Sequence, residues 1–163
     1  ASTDGPVTEV HLEPADPPAC VEAIAAIHDA AWVVLGQGSW FTSVIPHLLV
    51  PALSAALHRT PARRVVVLNL EPQPGETSGF APHAYLEVLA RQAPELRIDV
   101  VVADEGSVAD VSSLEAAAHA LGAEVVCAPL RGTGPLPHHD PQLLAEALTS
   151  VLSAPQTPRT TPE

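Results

Sequence analysis

Two short, unbroken apolar runs, Trp32-Val33-Val34-Leu35 and Val65-Val66-Val67-Leu68 within residues 64–70, punctuate the chain, and residues 98–103 and 124–128 add two more apolar stretches, one carrying Asp99 and the other opening on Glu124. Runs of this length without polar alternation predict strands buried on both faces of a parallel sheet. Elsewhere the apolar positions recur at helical spacing. Val21, Ile24, Ala25 and Ile27 predict one helix, and residues 48–58 a second, with Pro51 in a first turn or at a restart. Residues 82–92 carry Tyr85, Leu86, Val88 and Leu89 on one side. Residues 112–121 form a fourth helix, with Ser112 or Ser113 as N-cap and Gly122 as C-cap, and residues 141–152 a fifth. Pro6 to Leu12 alternates imperfectly, as a short edge strand would, and residues 36–46 read as loop and turn. Strands alternating with helices in this way predict an α/β fold, a parallel sheet flanked by helices through right-handed crossovers.

Composition narrows the picture. The chain is 47% hydrophobic but only 3% aromatic, so its core must be layers of Ala, Val and Leu, which suits helices on a sheet better than a β-sandwich. Its 163 residues fit one domain, spanning 1–152. Residues 153–163 repeat Thr-Pro without an apolar anchor and are expected to be a disordered tail. Seven basic against nineteen acidic residues give a formal net charge of −12, and every cation is an arginine. Such a surface repels phosphate backbones and anionic lipid, so neither a nucleic-acid partner nor membrane insertion is expected. An anionic ligand would have to be held by backbone N–H groups and helix ends. Cys20 and Cys127 lie far apart without metal-ligand spacing, which signals neither a disulfide framework nor a zinc site. There is no apolar run of about 20 residues and no secretory pattern at the start. A cytoplasmic location fits these features. The chain contains no methionine, and it is expected to be a fragment or a product trimmed at its front.

In an open parallel sheet ligands collect beyond the carboxyl ends of the strands. Three segments there are unusual. Gly36-Gln37-Gly38-Ser39-Trp40-Phe41-Thr42-Ser43 offers two glycines for close backbone approach, then N–H and hydroxyl donors before a helix, an arrangement suited to a phosphate or sugar diphosphate. It lacks the lysine of a P-loop and the third glycine of a dinucleotide fingerprint, and a tight strand-to-helix turn has the same composition. In residues 69–79 prolines fix the path, and Asn69 and Glu76 could read a base or ribose; an ordinary stiffened loop is the alternative. His138-His139-Asp140-Pro141 could bind metal or shuttle protons, or could be a helix start capped by Asp140. Asp104 and Glu105 are a carboxylate pair at a strand end that a solvated turn would equally explain. Trp40 could stack on a base or fill the mouth of the core. Cys127, on an expected buried strand, reads as packing. His11, His28, His58, His83 and His119 read as surface or helix residues.

Taken together these loops resemble the YvcK-type gluconeogenesis-factor family of the CofD-like superfamily. Val33 through Pro51 is similar to its LGPGS signature, followed by an aromatic or Leu, F/Y, TS and a P-(N/H)-LL stretch. Residues 69–79 are similar to its N-x-x-x-Q-x-GET-x-G segment, and His139-Asp140-Pro141 to its HDP turn. The resemblance implies a Rossmann-like fold binding a nucleotide-type ligand, with UDP-sugars the leading class, in a regulator tied to carbon metabolism, cell shape and cell-wall synthesis. Carried over by position, Gly36, Gly38, Ser39, Thr42 and Ser43 would line a phosphate or sugar site, and Asn69, Gln73, Gly75, Glu76 and Thr77 its adjoining wall. No cofactor beyond that ligand and no metal is implied. The alternative is phospholactate-type transfer, by analogy with the transferase branch, although its deazaflavin pocket is not recognisable.

Two departures stand out. Gln37 occupies the position of the family's usual proline, removing a φ constraint and adding a donor and an acceptor. The family's N-terminal half, with its glycine-rich loop and DDGG-type segment, has no counterpart, so the chain is expected to form one wall of a shared site and to bind ligand weakly alone. A homo-oligomer is compatible with the sequence. In the tail, Thr157, Thr160 and Thr161 are either hydroxyls accessible to a Ser/Thr kinase or unmodified.

Overall fold

The structure, a computed structural model, describes Val7 and residues 9–154. The tail threonines Thr157, Thr160 and Thr161 therefore lie outside the described residues. Four strands form one parallel sheet in the order of the chain: β1 (Trp32–Gly36), β2 (Arg63–Val67), β3 (Val100–Asp104) and β4 (Glu124–Ala128). Six helices accompany them: α1 (Val21–Asp29), α2 (Ile45–Leu49), α3 (Pro51–Arg59), α4 (Pro82–Gln92), α5 (Val111–Ala120) and α6 (Pro141–Ser153).

The topology decides which face each side chain meets. Three successive right-handed crossovers stepping in one direction put α2 to α5 on the same face of the sheet. There Leu35, Val66, Val101 and Ala103 pack with Trp40, Ile45, Leu86, Leu89 and Leu114. The opposite face, built from Val65, Val67, Val100 and Val102, is covered by Leu144, Ala147 and Val151 of α6 together with Leu130. One helix cannot cover four strands. β2 and β3 are consequently buried on both sides as expected, whereas β1 and β4 are edge strands: Val34 is 49% exposed, and Cys127 is exposed. The expectation that Cys127 packs inside a buried strand is thus corrected.

Helix boundaries follow local chemistry. Pro51 does mark a restart, since α2 ends at Leu49 and extended Val50 precedes α3. Asp110, rather than Ser112 or Ser113, caps α5; its carboxylate accepts the Ser113 N–H, as a short acidic side chain at that position does. Gly122 follows α5 with φ +82°, the left-handed turn that ends a helix. Residues 36–46 are more ordered than a loop: Trp40–Val44 forms a wide helical turn, capped by Ser39, that leads into α2. Of the expected edge strand from Pro6 to Leu12, none of the described residues is in a strand. Residues 9–12 are irregular, with Val7 and Val10 packed on the main core. Among the described residues no single helix is long and apolar enough to cross a membrane.

At the amino edge, Arg64 is buried and spends its guanidinium on three carbonyls, those of Leu57, Arg97 and Thr60. Arg63 lies 4.4 Å over the Trp32 ring. Arg59 and Arg91, in the last turns of helices that run back to that edge, and Arg97, ahead of β3, complete an arginine-rich end.

Candidate functional site

The carboxyl ends of the four strands gather the predicted segments on one edge. β1 runs into its loop at Gly36, which has φ +121° and is paired with Val67. A β-carbon there would press on the Val67 carbonyl, lying 3.1 Å even from its carbon atom. Glycine is therefore required for β1 to turn while staying in register. Gln37 follows at φ +56°, a value that proline, fixed near −65°, cannot reach. In this chain the departure from the family proline is thus a change of backbone path. Because a left-handed conformation costs an ordinary L-residue about 1–2 kcal/mol, Gln37→Gly is expected to raise stability by up to about 1 kcal/mol in denaturant titrations. Gln37→Pro should lower it and disturb the loop.

Gly38 lies against the side chain of Ser43, where a β-carbon would come within 3.3 Å. Its carbonyl accepts the Asn69 Nδ2–H at 2.9 Å, which ties the first loop to the second. Ser39 Oγ accepts the Thr42 N–H at 3.1 Å, contacts the Thr42 hydroxyl and donates to Glu76 Oε1. The same carboxylate oxygen accepts the Phe41 N–H at 3.3 Å. The donors foreseen for a ligand anion are thus partly engaged by a side chain of the chain itself. Thr42 and Ser43 remain exposed.

The second loop is a tight turn closed on itself. The Gln73 carbonyl accepts the N–H groups of Glu76 and Thr77 at 3.2 and 3.0 Å. Thr77 is fully buried, and its hydroxyl accepts the Gln73 N–H at 2.8 Å and bonds to the Tyr85 hydroxyl at 3.1 Å. The Gly75 N–H donates to Ser78 Oγ. Thr77 therefore shapes the turn from inside, while Asn69 and Glu76 reach across to the first loop. Burial pushes the Tyr85 phenol above its ordinary pKa, eased by the Thr77 bond and reinforced by the Glu76 charge. Trp40 is fully buried, edge-on to Tyr85 with ring centroids 5.2 Å apart. Core filling, not base stacking, is its role.

A third group, around Arg131, was not foreseen from the sequence. Asp104 is only 4% exposed; it accepts the Leu130 N–H at 2.9 Å and the Ser107 hydroxyl at 2.8 Å, and faces Arg131 Nε at 3.9 Å. Burial alone would raise its pKa, but the bonds from Leu130 and Ser107 and the Arg131 charge outweigh it and hold the carboxyl below the usual range. Arg131 also meets Glu71 at 2.7 Å. Among the described residues it is the arginine at this edge, and its position straight after an expected strand was the only signal in the sequence. Asp104 and Glu105 do not act as a pair: Asp104 ends β3 inside the protein and Glu105 is exposed.

The His138-His139-Asp140 turn resolves toward capping. Asp140 accepts the N–H groups of Gln142 and Leu143 at 2.8 and 3.1 Å. His138 is exposed, set against Gly132 and Gly134. His139 is half-buried, and burial lowers its pKa. No group of three His, Cys, Asp or Glu among the described residues is placed to hold a metal ion.

An open parallel sheet whose carboxyl edge carries a glycine-led loop and a second loop tied to it defines a class: open α/β proteins of the Rossmann-like kind. The comparisons with known proteins specify it. The family model described as 2-phospho-L-lactate transferase CofD matches residues 1–129, and the chain belongs to that family. It is 48% identical over 154 residues to the Mycobacterium tuberculosis protein named "Putative gluconeogenesis factor", covering 93% of this chain and 45% of that one. The Deinococcus radiodurans protein of the same name is 35% identical, with 91% of this chain and 34% of that protein covered. A solved Bacillus halodurans structure superposes with a TM-score of 0.78 at 24% identity, over 90% of this chain and 51% of the other. A second structure of that protein, described as a member of the upf0052 family, gives 0.74 at 25%. The chain thus spans under half the length of these relatives and about half of the solved structure.

Proposed function

We propose that this chain is the C-terminal half of a nucleotide-sugar-binding regulator, a gluconeogenesis factor that links carbon metabolism to cell shape and cell-wall synthesis in the cytoplasm. The observation that carries the reading is the tie between the two family loops. Asn69 holds the Gly38 carbonyl and Glu76 holds Ser39 and Phe41, which supports a wall in which Gly36, Gly38, Ser39, Thr42 and Ser43 adjoin Asn69, Gln73, Gly75 and Glu76, with buried Thr77 holding the second loop from inside. Such a preorganised wall suits a UDP-sugar, whose hydroxyls, amide and phosphates need donors and acceptors fixed in advance. Among the described residues Arg131 is the arginine at the same edge, where it is already paired with Glu71 and Asp104. The relatives' greater length supports a site completed by residues outside this chain.

The second reading is phospholactate-type transfer, favoured by the printed description of the family. Phosphoryl chemistry draws on carboxylates that can be given to a metal. Here Asp104 is committed to Leu130, Ser107 and Arg131, and Glu76 to the first loop, so binding without turnover is the better-supported role.

The test is calorimetric titration of UDP-N-acetylglucosamine into the protein at its full length, beside Gly38→Val and Asn69→Ala. In the first variant the valine side chain would press on Ser43; in the second, loss of the amide would release the Gly38 carbonyl. Each variant is expected to weaken binding tenfold or more with little change in melting temperature. Absence of binding by the unsubstituted protein, or unchanged affinity in both variants, would refute the reading. Turnover of a guanylyl-phospholactate-type donor would favour the transferase instead.

A further inference from the structure

The Glu76 carboxylate occupies a place that a ligand phosphate would otherwise contest. Its Oε1 takes both the Ser39 hydroxyl and the Phe41 N–H, the first donors of the glycine-led loop. Its Oε2 is buried and has no hydrogen-bond partner among the described residues. The residue is held from behind as well: its N–H donates to the Gln73 carbonyl at 3.2 Å, and its carbonyl accepts the Val7 N–H at 3.1 Å. The adjoining Thr77 is locked to Gln73 and Tyr85. This carboxylate belongs to the architecture of the turn and is not a loose side chain resting on vacant donors.

Two consequences follow from elementary electrostatics. Donors already given to a carboxylate are not available to phosphate oxygens, and the fixed negative charge repels any phosphate brought beside it. Oε2 is buried and offers a ligand no acceptor, so the carboxylate acts on a ligand through its charge and through the donors it occupies. Building on the ligand-loop reading above, we infer that Glu76 is a specificity-determining residue: by its charge and by occupying the Ser39 and Phe41 donors it excludes the diphosphate of a nucleotide sugar from that end of the loop and leaves the end to the uncharged part of the ligand. Of the two alternatives that the resemblance leaves for Ser39, a phosphate or a sugar site, this favours the sugar. The diphosphate is left to the parts of the edge that Glu76 does not fill.

The inference is tested on the full-length protein with inorganic pyrophosphate and uridine diphosphate as calorimetric probes. Glu76→Gln keeps an oxygen for Ser39 and Phe41 but removes the charge, and it is expected to bind pyrophosphate at least fivefold more tightly than the unsubstituted protein. Uridine diphosphate should show the same gain, and Glu76→Asp, which keeps the charge, should show neither. A gain below fivefold in Glu76→Gln, or an equal gain in Glu76→Asp, overturns the inference. Failure of the underlying reading looks different: Gly38→Val would then leave affinity for UDP-N-acetylglucosamine untouched.

Discussion

Gly36→Ala is expected to destabilise the protein by about 3–5 kcal/mol, from the strain of a backbone region nearly reserved for glycine and from a steric conflict at the sheet. Gly36 has φ +121°, and its missing β-carbon would meet the main chain of Val67, its partner in β2. Backbone cannot step aside as a flexible side chain can, so β1 would lose its last pairing or the loop would leave its path. For a domain of this size such a loss corresponds to a fall of about 10 °C or more in melting temperature, read by circular dichroism. Gly79→Ala is the control. It too has positive φ, +81°, but nothing lies within 4 Å of the added methyl group; its cost should stay near 1 kcal/mol. Equal effects of the two substitutions would show that conformation alone, and not contact with β2, makes Gly36 necessary.

The second large effect belongs to Asp104. Asp104→Ala leaves the buried Leu130 N–H without its acceptor and removes the countercharge facing Arg131. Losing a buried charged acceptor of this kind costs about 2–4 kcal/mol, and it would also loosen the 131–139 turn at the carboxyl edge of the sheet. The same residue gives a pH signature. Its folded pKa lies below the ordinary carboxylate value, so its contribution is fully present above the unfolded value of about 3.9 and is lost as pH falls through the lower folded one. In urea titrations the stability difference between the unsubstituted protein and Asp104→Asn should be constant from neutrality to about pH 5 and shrink below about pH 4. A difference that persists unchanged at pH 3 would mean that Asp104 works through shape and not through charge.

Much of the fold was legible because the apolar runs and helical spacings are strong local signals. The strand bounds Glu124–Ala128 and the helix Pro82–Gln92 stand as the sequence predicts. What could not be read was coverage. The runs Val33-Val34-Leu35 and Val125-Val126-Cys127 look like Val65-Val66-Val67, yet their burial depends on a single helix, α6, lying across the far face. The cap of α5 was misassigned to Ser112 or Ser113 because both offer acceptors within one turn of Asp110, which holds the place. The site was legible as two loops but not as their connection. Glu76 and Ser39 are 37 residues apart, and their hydrogen bond exists because β1 and β2 are adjacent and parallel. Arg131 carried no motif, and its place beside Asp104 depends on β3 and β4 ending together, with Asp104 opposite Ala128.

The most direct test of the central claim, that residues 36–43 and 69–79 form one ligand-binding wall, is amide hydrogen exchange on the full-length protein with and without saturating UDP-N-acetylglucosamine. Added protection is expected in both segments together, with helix α5 unchanged. Protection confined to other regions, with both loops exchanging as in the free protein, would contradict it.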